Sequence, residues 1–101
     1  MKNNSYVGFF SNFTNGTKLK IIASLAGGPL TVGEIARING IEQSNVSHNL
    51  SSLLECQIVS CEKDGKRRLY SLNKKTVYPL LKIAKKHVRC NCSLDCGRDC
   101  S

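Results

Sequence analysis

The chain has 101 residues, with fifteen Lys or Arg against seven Asp or Glu, a formal charge of +8. So short a chain buries one modest core, which makes association with a second copy a natural source of further buried area. The charge is uneven: residues 1 to 89 carry fourteen basic against five acidic side chains, and residues 90 to 101 one against two. This favours nucleic acid as the polyanionic partner over an acidic membrane surface. No stretch is long and apolar enough to span a bilayer, and Lys2 is followed by Asn3, Asn4 and Ser5 rather than an apolar signal core, so the expected location is the cytoplasm. Without a Gly-rich phosphate loop, an HExxH pair or a nucleophile with a positioned base, the chain does not read as an enzyme.

In chain order, the first predicted helix covers residues 16 to 26, with Leu19, Ile22, Ala23 and Ala26 on one face and Gly27-Gly28-Pro29 ending it. A second helix is announced by Thr31 and Glu34. This is the spacing of a capping box, in which the hydroxyl accepts the third amide and the carboxylate accepts the cap amide. Val32, Ile35, Ala36 and Ile38 supply its inner stripe, and Asn39-Gly40 stops it because both tolerate the left-handed C-cap conformation.

A third helix starts near Glu42 or Gln43, and Val46, Leu50, Leu53 and Leu54 face inward at helical spacing. Its other face carries Ser44, His48, Ser51 and Ser52, with Asn45 and Ser47 at the edges. Short, uncharged side chains of this kind can lie flat in a DNA major groove and reach base edges and phosphates. The alternative is an ordinary solvated face, which is usually richer in Glu and Lys. A hairpin follows, from about Gln57 to Glu62 and Lys66 to Leu72, with Asp64-Gly65 predicted as a type I′ turn. Lys63, Lys66, Arg67 and Arg68 crowd its tip with positive charge. In the last helix Val77, Leu80, Leu81, Ala84 and Val88 make a narrow stripe flanked by Lys82, Lys85 and Lys86, and Pro79 fits within the first turn if Thr76 is the cap.

Three stretches, GTKLKIIASLAGGPLTVGEIA, IEQSNVSHNLSSLLECQIV and DGKRRLYSL, together resemble the ArsR/SmtB family of winged-helix repressors over roughly residues 15 to 88. The resemblance implies a mainly α, dimeric winged helix-turn-helix with a small β-hairpin. Residues 1-89 would be the DNA-binding and dimerisation domain, and residues 90-101 a Cys-rich tail. It also implies a homodimer that binds double-stranded operator DNA and lets go when an inducer binds. Gln43, Ser44, Asn45, Ser47, His48 and Ser51 would face bases and phosphates, and Lys66, Arg67 and Arg68 would form the wing. The last helix would pack with the N-terminal region at the dimer interface, where Tyr6, Phe9, Phe10 and Phe13 could add aromatic area; the lesser alternative is that the same residues merely close the monomer core.

Six cysteines bear on what the regulator would sense. Cys56 and Cys61 flank the end of the recognition helix and the first wing strand, while Cys90, Cys92, Cys96 and Cys100 crowd twelve residues, CNCSLDCGRDCS, more than packing needs. With no secretory signal a disulfide framework is not expected, and thiolate chemistry is the better reading. Soft thiolates suit Cd(II), Pb(II), Zn(II), Cu(I) or As(III), with Cys56, Cys90, Cys92, Cys96 and Cys100 as candidate ligands. Cys61 can equally be a small buried apolar residue. His48 and His87 have blander roles, on DNA and at a helix C-terminus.

Within the family, the resemblance excludes two known arrangements. The arsenic and cadmium/lead sensors with a cysteine pair in the first helix of the motif would need Cys at Thr31 and Gly33. The zinc and nickel sensors need carboxylates and imidazoles on the last helix, where His87 stands alone between 76 and 89. What remains is similar to the cadmium/lead-sensing branch that joins recognition-helix cysteines to the other subunit's tail. Cys56 matches one helix cysteine of that branch, and the second falls at Ser52. A thiol redox or persulfide switch, and a metal-binding protein that does not use DNA, are the alternatives.

Overall fold

The computed structural model describes the backbone of residues 4–91 and the side chains of residues 6–90. The order is α1 (Asn4–Thr14), α2 (Gly16–Ser24), a 3-10 turn (Leu25–Gly27), α3 (Val32–Asn39), α4 (Gln43–Glu55), β1 (Val59–Asp64), β2 (Arg67–Leu72) and α5 (Val77–Asn91). The helix-turn-helix is α3 and α4, and the antiparallel β1–β2 hairpin is the wing. The described part of α5 runs through Cys90 to Asn91, two residues past the expected domain end.

The helix α1 has no counterpart among the predicted elements. Its sequence, with Gly8 and several aromatics, has weak intrinsic propensity, so tertiary packing forms it. Phe9 and Phe13, four residues apart, pack on the core and against each other with ring centroids 5.3 Å apart. Asn12, buried between them, donates its Nδ2 to the Gly8 and Phe9 carbonyls at 3.1 Å. Asn15 then caps α2, accepting the Lys18 amide at 3.0 Å.

In α2 the buried side chains are Ile21 and Ile22, joined by Leu25; Leu19, Ala23 and Ala26, expected inside, are exposed. The buried side of α2 is thus the Ile21–Ile22 side, one step round the helix from the expected face, and the 3-10 turn after Ser24 continues it. Three residues per turn stack Leu25 beneath Ile22 and swing Ala26 outward. The capping box of α3 forms as expected, with Thr31 Oγ1 accepting the Glu34 amide at 3.2 Å and Glu34 Oε1 accepting the Thr31 amide at 2.9 Å. Gly40 ends the helix in the left-handed region at φ 64°. Ile35 and Ala36 are buried, but Ile38 is 60% exposed. At 100° per residue it stands roughly 110° from the centre of the Val32–Ile35–Ala36 face.

Val46, Leu50 and Leu53 of α4 close the core against Ile21, Ile22 and Ile35, with Leu54 partly buried. The helix ends in a Schellman motif: Ile58 N–H donates to Leu53 C=O at 2.9 Å and Gln57 N–H to Leu54 C=O at 3.0 Å. Gln57 occupies the left-handed position at φ 59°, where glycine is usual. The hairpin register pairs Val59 with Leu72, Cys61 with Tyr70 and Asp64 with Arg67. On its other side Tyr70 bridges Leu30, with N–H to C=O bonds of 2.8 and 3.0 Å, so the wing base is anchored to the loop before α3.

The first turn of α5 is organised by Asn73, whose Oδ1 accepts the amides of Lys75 and Thr76 at 3.0 and 3.3 Å. Leu80 N–H donates to Thr76 C=O at 3.1 Å, which leaves Pro79 in the first turn without a lost bond. The expected stripe divides: Val77 is buried and Leu81 packs on the core, whereas Ala84 and Val88 are exposed. Ile83, outside that stripe, is 67% exposed.

Candidate nucleic-acid interface

The outer face of α4 presents Gln43, Ser44, Asn45, Ser47, His48 and Ser51, all exposed. It carries no charged residue between Gln43 and Leu54. The Ser51 hydroxyl donates to the Ser47 carbonyl at 3.2 Å. Asn49, a polar residue that sequence reasoning passed over, is buried on the inner side between Val46 and Leu53. Its Nδ2 donates to Asn45 Oδ1 at 2.7 Å and Asn45 C=O at 2.9 Å. Asn45 is thereby held by its carbonyl oxygen, and its amide N–H pair is left to point at a partner. The signal was its position, three residues after Val46 and four before Leu53.

Ser52 does not belong to that outer face. It is half-buried, and Lys18 of α2 donates its ammonium to Ser52 Oγ at 2.9 Å and to the buried Asn12 Oδ1 at 3.4 Å. This node ties α1, α2 and the C-terminal third of α4 together.

The wing packs against α4 through β1 and against α3 through β2, and at its tip Lys63, Lys66, Arg67 and Arg68 are all exposed. The turn residues are Gly65 and Lys66, not Asp64 and Gly65 as expected: Asp64 pairs with Arg67 in the last rung. Only Gly65 of the two has positive φ, at 65°. A type I′ turn needs it at both positions, so this is the pattern of a type II′ turn, with Gly first. The shift places Lys66 at the apex. Lys63 and Arg68 are cross-strand partners on one face, and Arg67 Nη2 lies 3.6 Å from Asp64 Oδ2 on the other. Arg67 also reaches the field of α3. The Thr31 amide holds the Glu34 carboxyl below the ordinary carboxylate value against some desolvation, with the Thr31 hydroxyl, Arg67 and Arg37 adding to the effect. Burial raises the Tyr70 phenol above its ordinary value, helped by neighbouring Cys61 and opposed by Arg68.

The cysteines are dispersed among the described residues. Cys56 is an exposed free thiol at the C-cap of α4, and Cys61 is a half-buried free thiol beside Tyr70 on the inner wing face. Cys90, half-buried near the end of α5, is disulfide-bonded, which the expectation of reduced thiolates did not include. Cys92, Cys96 and Cys100 lie outside the described residues. No group of three Cys, His, Asp or Glu side chains that could hold a metal ion is present among the described residues. Nor is any described helix long and apolar enough to cross a membrane.

A polar recognition helix packed behind α3 and flanked by a basic two-stranded hairpin defines a winged helix-turn-helix domain. Comparison with known proteins is specific about which: residues 15–60 match the family described as bacterial regulatory protein, arsR family, and the chain belongs to that family. It is 35% identical over 77 residues to a probable mercury resistance operon repressor of Streptomyces lividans, covering 76% of this chain and 62% of that protein. It is 34% identical over 64 residues to the transcriptional repressor SdpR of Bacillus subtilis, covering 63% of this chain and 71% of that one. Among solved structures, NolR from Sinorhizobium fredii superposes with a TM-score of 0.73 at 30% identity, over 82% of this chain and 83% of NolR.

Proposed function

We propose that this protein is a homodimeric transcriptional repressor that binds double-stranded operator DNA and is released from it by a thiophilic ion. The observation that carries the reading is the uncharged, hydrogen-bonding outer face of α4 together with a wing, packed on α4 through β1, whose tip bears four exposed cations. Gln43, Ser44, Asn45, Ser47, His48 and Ser51 read bases and phosphates in the major groove, while Lys66, Arg67 and Arg68 hold the adjacent backbone. Dimerisation is supported by the exposed apolar side chains of α1 and α5, Tyr6, Val7, Phe10, Ile83 and Val88. Two recognition helices then meet successive major grooves about 34 Å apart.

The sensing role rests on the cysteines and on the named role of the mercury operon repressor. Cys56 at the end of the recognition helix offers one thiol, and Cys92, Cys96 and Cys100, with Cys90 once its disulfide is reduced, offer the remainder. An ion joining them must bind the free conformation more tightly than the DNA-bound one, and DNA must weaken ion binding by the same factor. The four cysteines within residues 90 to 101 also support a second reading, in which oxidation of tail thiols is itself the signal.

Fluorescence anisotropy on DNA from upstream of the protein's own gene tests both readings. Under strict thiol reduction, added Cd(II), Hg(II) or As(III) should release the DNA. Changing Cys92, Cys96 and Cys100 together to Ser should abolish release while leaving metal-free affinity intact. Release by oxidant but by none of these ions would establish the redox reading in place of the ionic one, and absence of sequence-specific binding would end both.

A further inference from the structure

Two cavities meet on the face of α5 that looks back at the 3-10 turn. The first, about 340 Å³, is lined by Ala26, Tyr78, Leu81, Lys82, Lys85 and Arg89. The second, about 480 Å³, runs beneath the Gly27-Gly28-Pro29 turn against Leu25 and Leu72, and shares Ala26 and Tyr78 with the first. Each has the volume of a small-molecule site. The turn leaves this space open: a Cβ built on Gly27 or Gly28 meets nothing within 4 Å.

The walls are chemically one-sided. Every ionisable residue lining the pair apart from the Tyr78 phenol is a cation, namely Lys74, Lys82, Lys85 and Arg89, and no carboxylate lines either cavity. Lys82 Nζ lies 5.5 Å from the Tyr78 ring centroid, so a cation and an aromatic face are already presented together at the junction. Complementing the helix dipole accounts for Arg89, in the last turn of α5, but not for Lys82, in its second turn. A DNA backbone laid across the three α5 cations would leave the concave apolar walls of Leu25, Leu72 and Leu81 unfilled.

We propose that this double cavity binds a small aromatic carboxylate. Its ring lies against Tyr78 and Leu81 and enters the space under the glycine turn, and its carboxylate is held by Lys82, Lys85 and Arg89. The bidentate geometry of a guanidinium suits Arg89 to that role. The site uses none of the cysteines and no residue of α4 or of the wing tip; it touches the wing only at Ser71 and Leu72, at the end of β2 away from the tip, so it stands apart from the residues of the DNA and metal readings.

The test uses the full chain with 2-naphthoate as probe, followed by calorimetry and by amide shifts in two-dimensional NMR. Saturable binding is expected, with the largest shifts at residues 26–28 and 78–89. Replacing Lys82, Lys85 and Arg89 together by Gln, all three exposed, should weaken binding by about tenfold or more, the equivalent of one charge-assisted hydrogen bond. The uncharged isostere 2-naphthalenemethanol should be weaker for the wild-type protein by a similar factor. Unchanged circular dichroism in the triple variant separates loss of the site from loss of the fold. Equal affinity of variant and wild type, absence of saturation, or shifts centred on Phe10 and Ile83, as for a probe wedged between copies, would each overturn the proposal. So would a triple variant that leaves 2-naphthoate binding intact and instead flattens the salt dependence of DNA binding.

Discussion

Replacing Arg68 by Ala isolates what the wing contributes. Arg68 is exposed and stands opposite Lys63 in the hairpin register, on the face that does not carry the Asp64–Arg67 pair, so its charge has no acidic cross-strand partner. If it neutralises one phosphate in each half of a dimeric complex, the variant loses two counterion-releasing contacts, and the slope of log K against log salt flattens by about 1.8. Over the fourfold change from 50 to 200 mM salt, the gap between wild type and variant then narrows by about twelvefold. Asp64→Asn should act in the opposite direction. The Asp64–Arg67 contact is 3.6 Å long with both side chains more than half exposed, so breaking it costs little, while removing the carboxylate takes a like charge away from the phosphates. Anisotropy titrations at four or five salt concentrations measure both slopes. An Arg68→Ala slope equal to that of wild type would refute phosphate contact by this face of the wing, whatever the affinity at any one salt concentration.

Four further outcomes are expected. Gln57→Gly should stabilise the fold by about 0.5–1 kcal/mol, because it relieves a left-handed side-chain residue at the end of α4 and loses part of the gain to unfolded-state entropy; a melting temperature that falls would show the Gln57 side chain to be worth more than the strain. Lys18→Met should cost about 1–3 kcal/mol by leaving the buried Asn12 Oδ1 without its partner, and Asn12→Leu in the same chain should recover part of the loss; simple additivity in the double-mutant cycle would break the node. The depressed Glu34 carboxyl contributes stability that is present above the ordinary carboxylate value and lost as pH falls through its lowered folded value. Urea midpoints between about pH 5 and pH 3 should therefore drop less steeply for Glu34→Gln than for wild type. Ile83→Glu should give monomer by sedimentation, and with it lose operator affinity, since the exposed residue adds nothing to the monomer core; a persisting dimer would move the interface off this part of α5.

The parts of the fold that were legible in sequence are those in which local chemistry decides. The capping box at Thr31 and Glu34, the stop at Gly40 and the tight turn that makes the hairpin all act within a few residues of themselves. The helix α1 was not legible, because its aromatic and glycine-containing stretch forms a helix only by laying Phe9 and Phe13 on a core supplied by later residues. The turn was placed one residue early because Asp-Gly is a good turn pair in isolation; with the strands in register, Asp64 finds Arg67 across the ladder and goes into the last rung instead. On α4, the exposure of Gln43, Ser44, Asn45, Ser47, His48 and Ser51 could be read from periodicity, but the departure of Ser52 from that face could not. It depends on an ammonium thirty-four positions earlier in the chain, which no spacing rule connects to it.

That same ammonium gives α4 a fulcrum. Ser52 is pinned through Lys18 to Asn12, and nine residues of helix, about 13 Å at 1.5 Å per residue, separate it from Gln43 at the leading end. A rigid rod pivoting at that point by about 10° carries Gln43 through roughly 2 Å, several times the slack that a hydrogen bond tolerates before it weakens steeply. Small rearrangements near the pivot, where Cys56 sits only one turn further on, are therefore magnified at the Gln43 end, which the proposed function sets against base edges. The grip on the groove can be lost without unfolding any part of the helix that makes it.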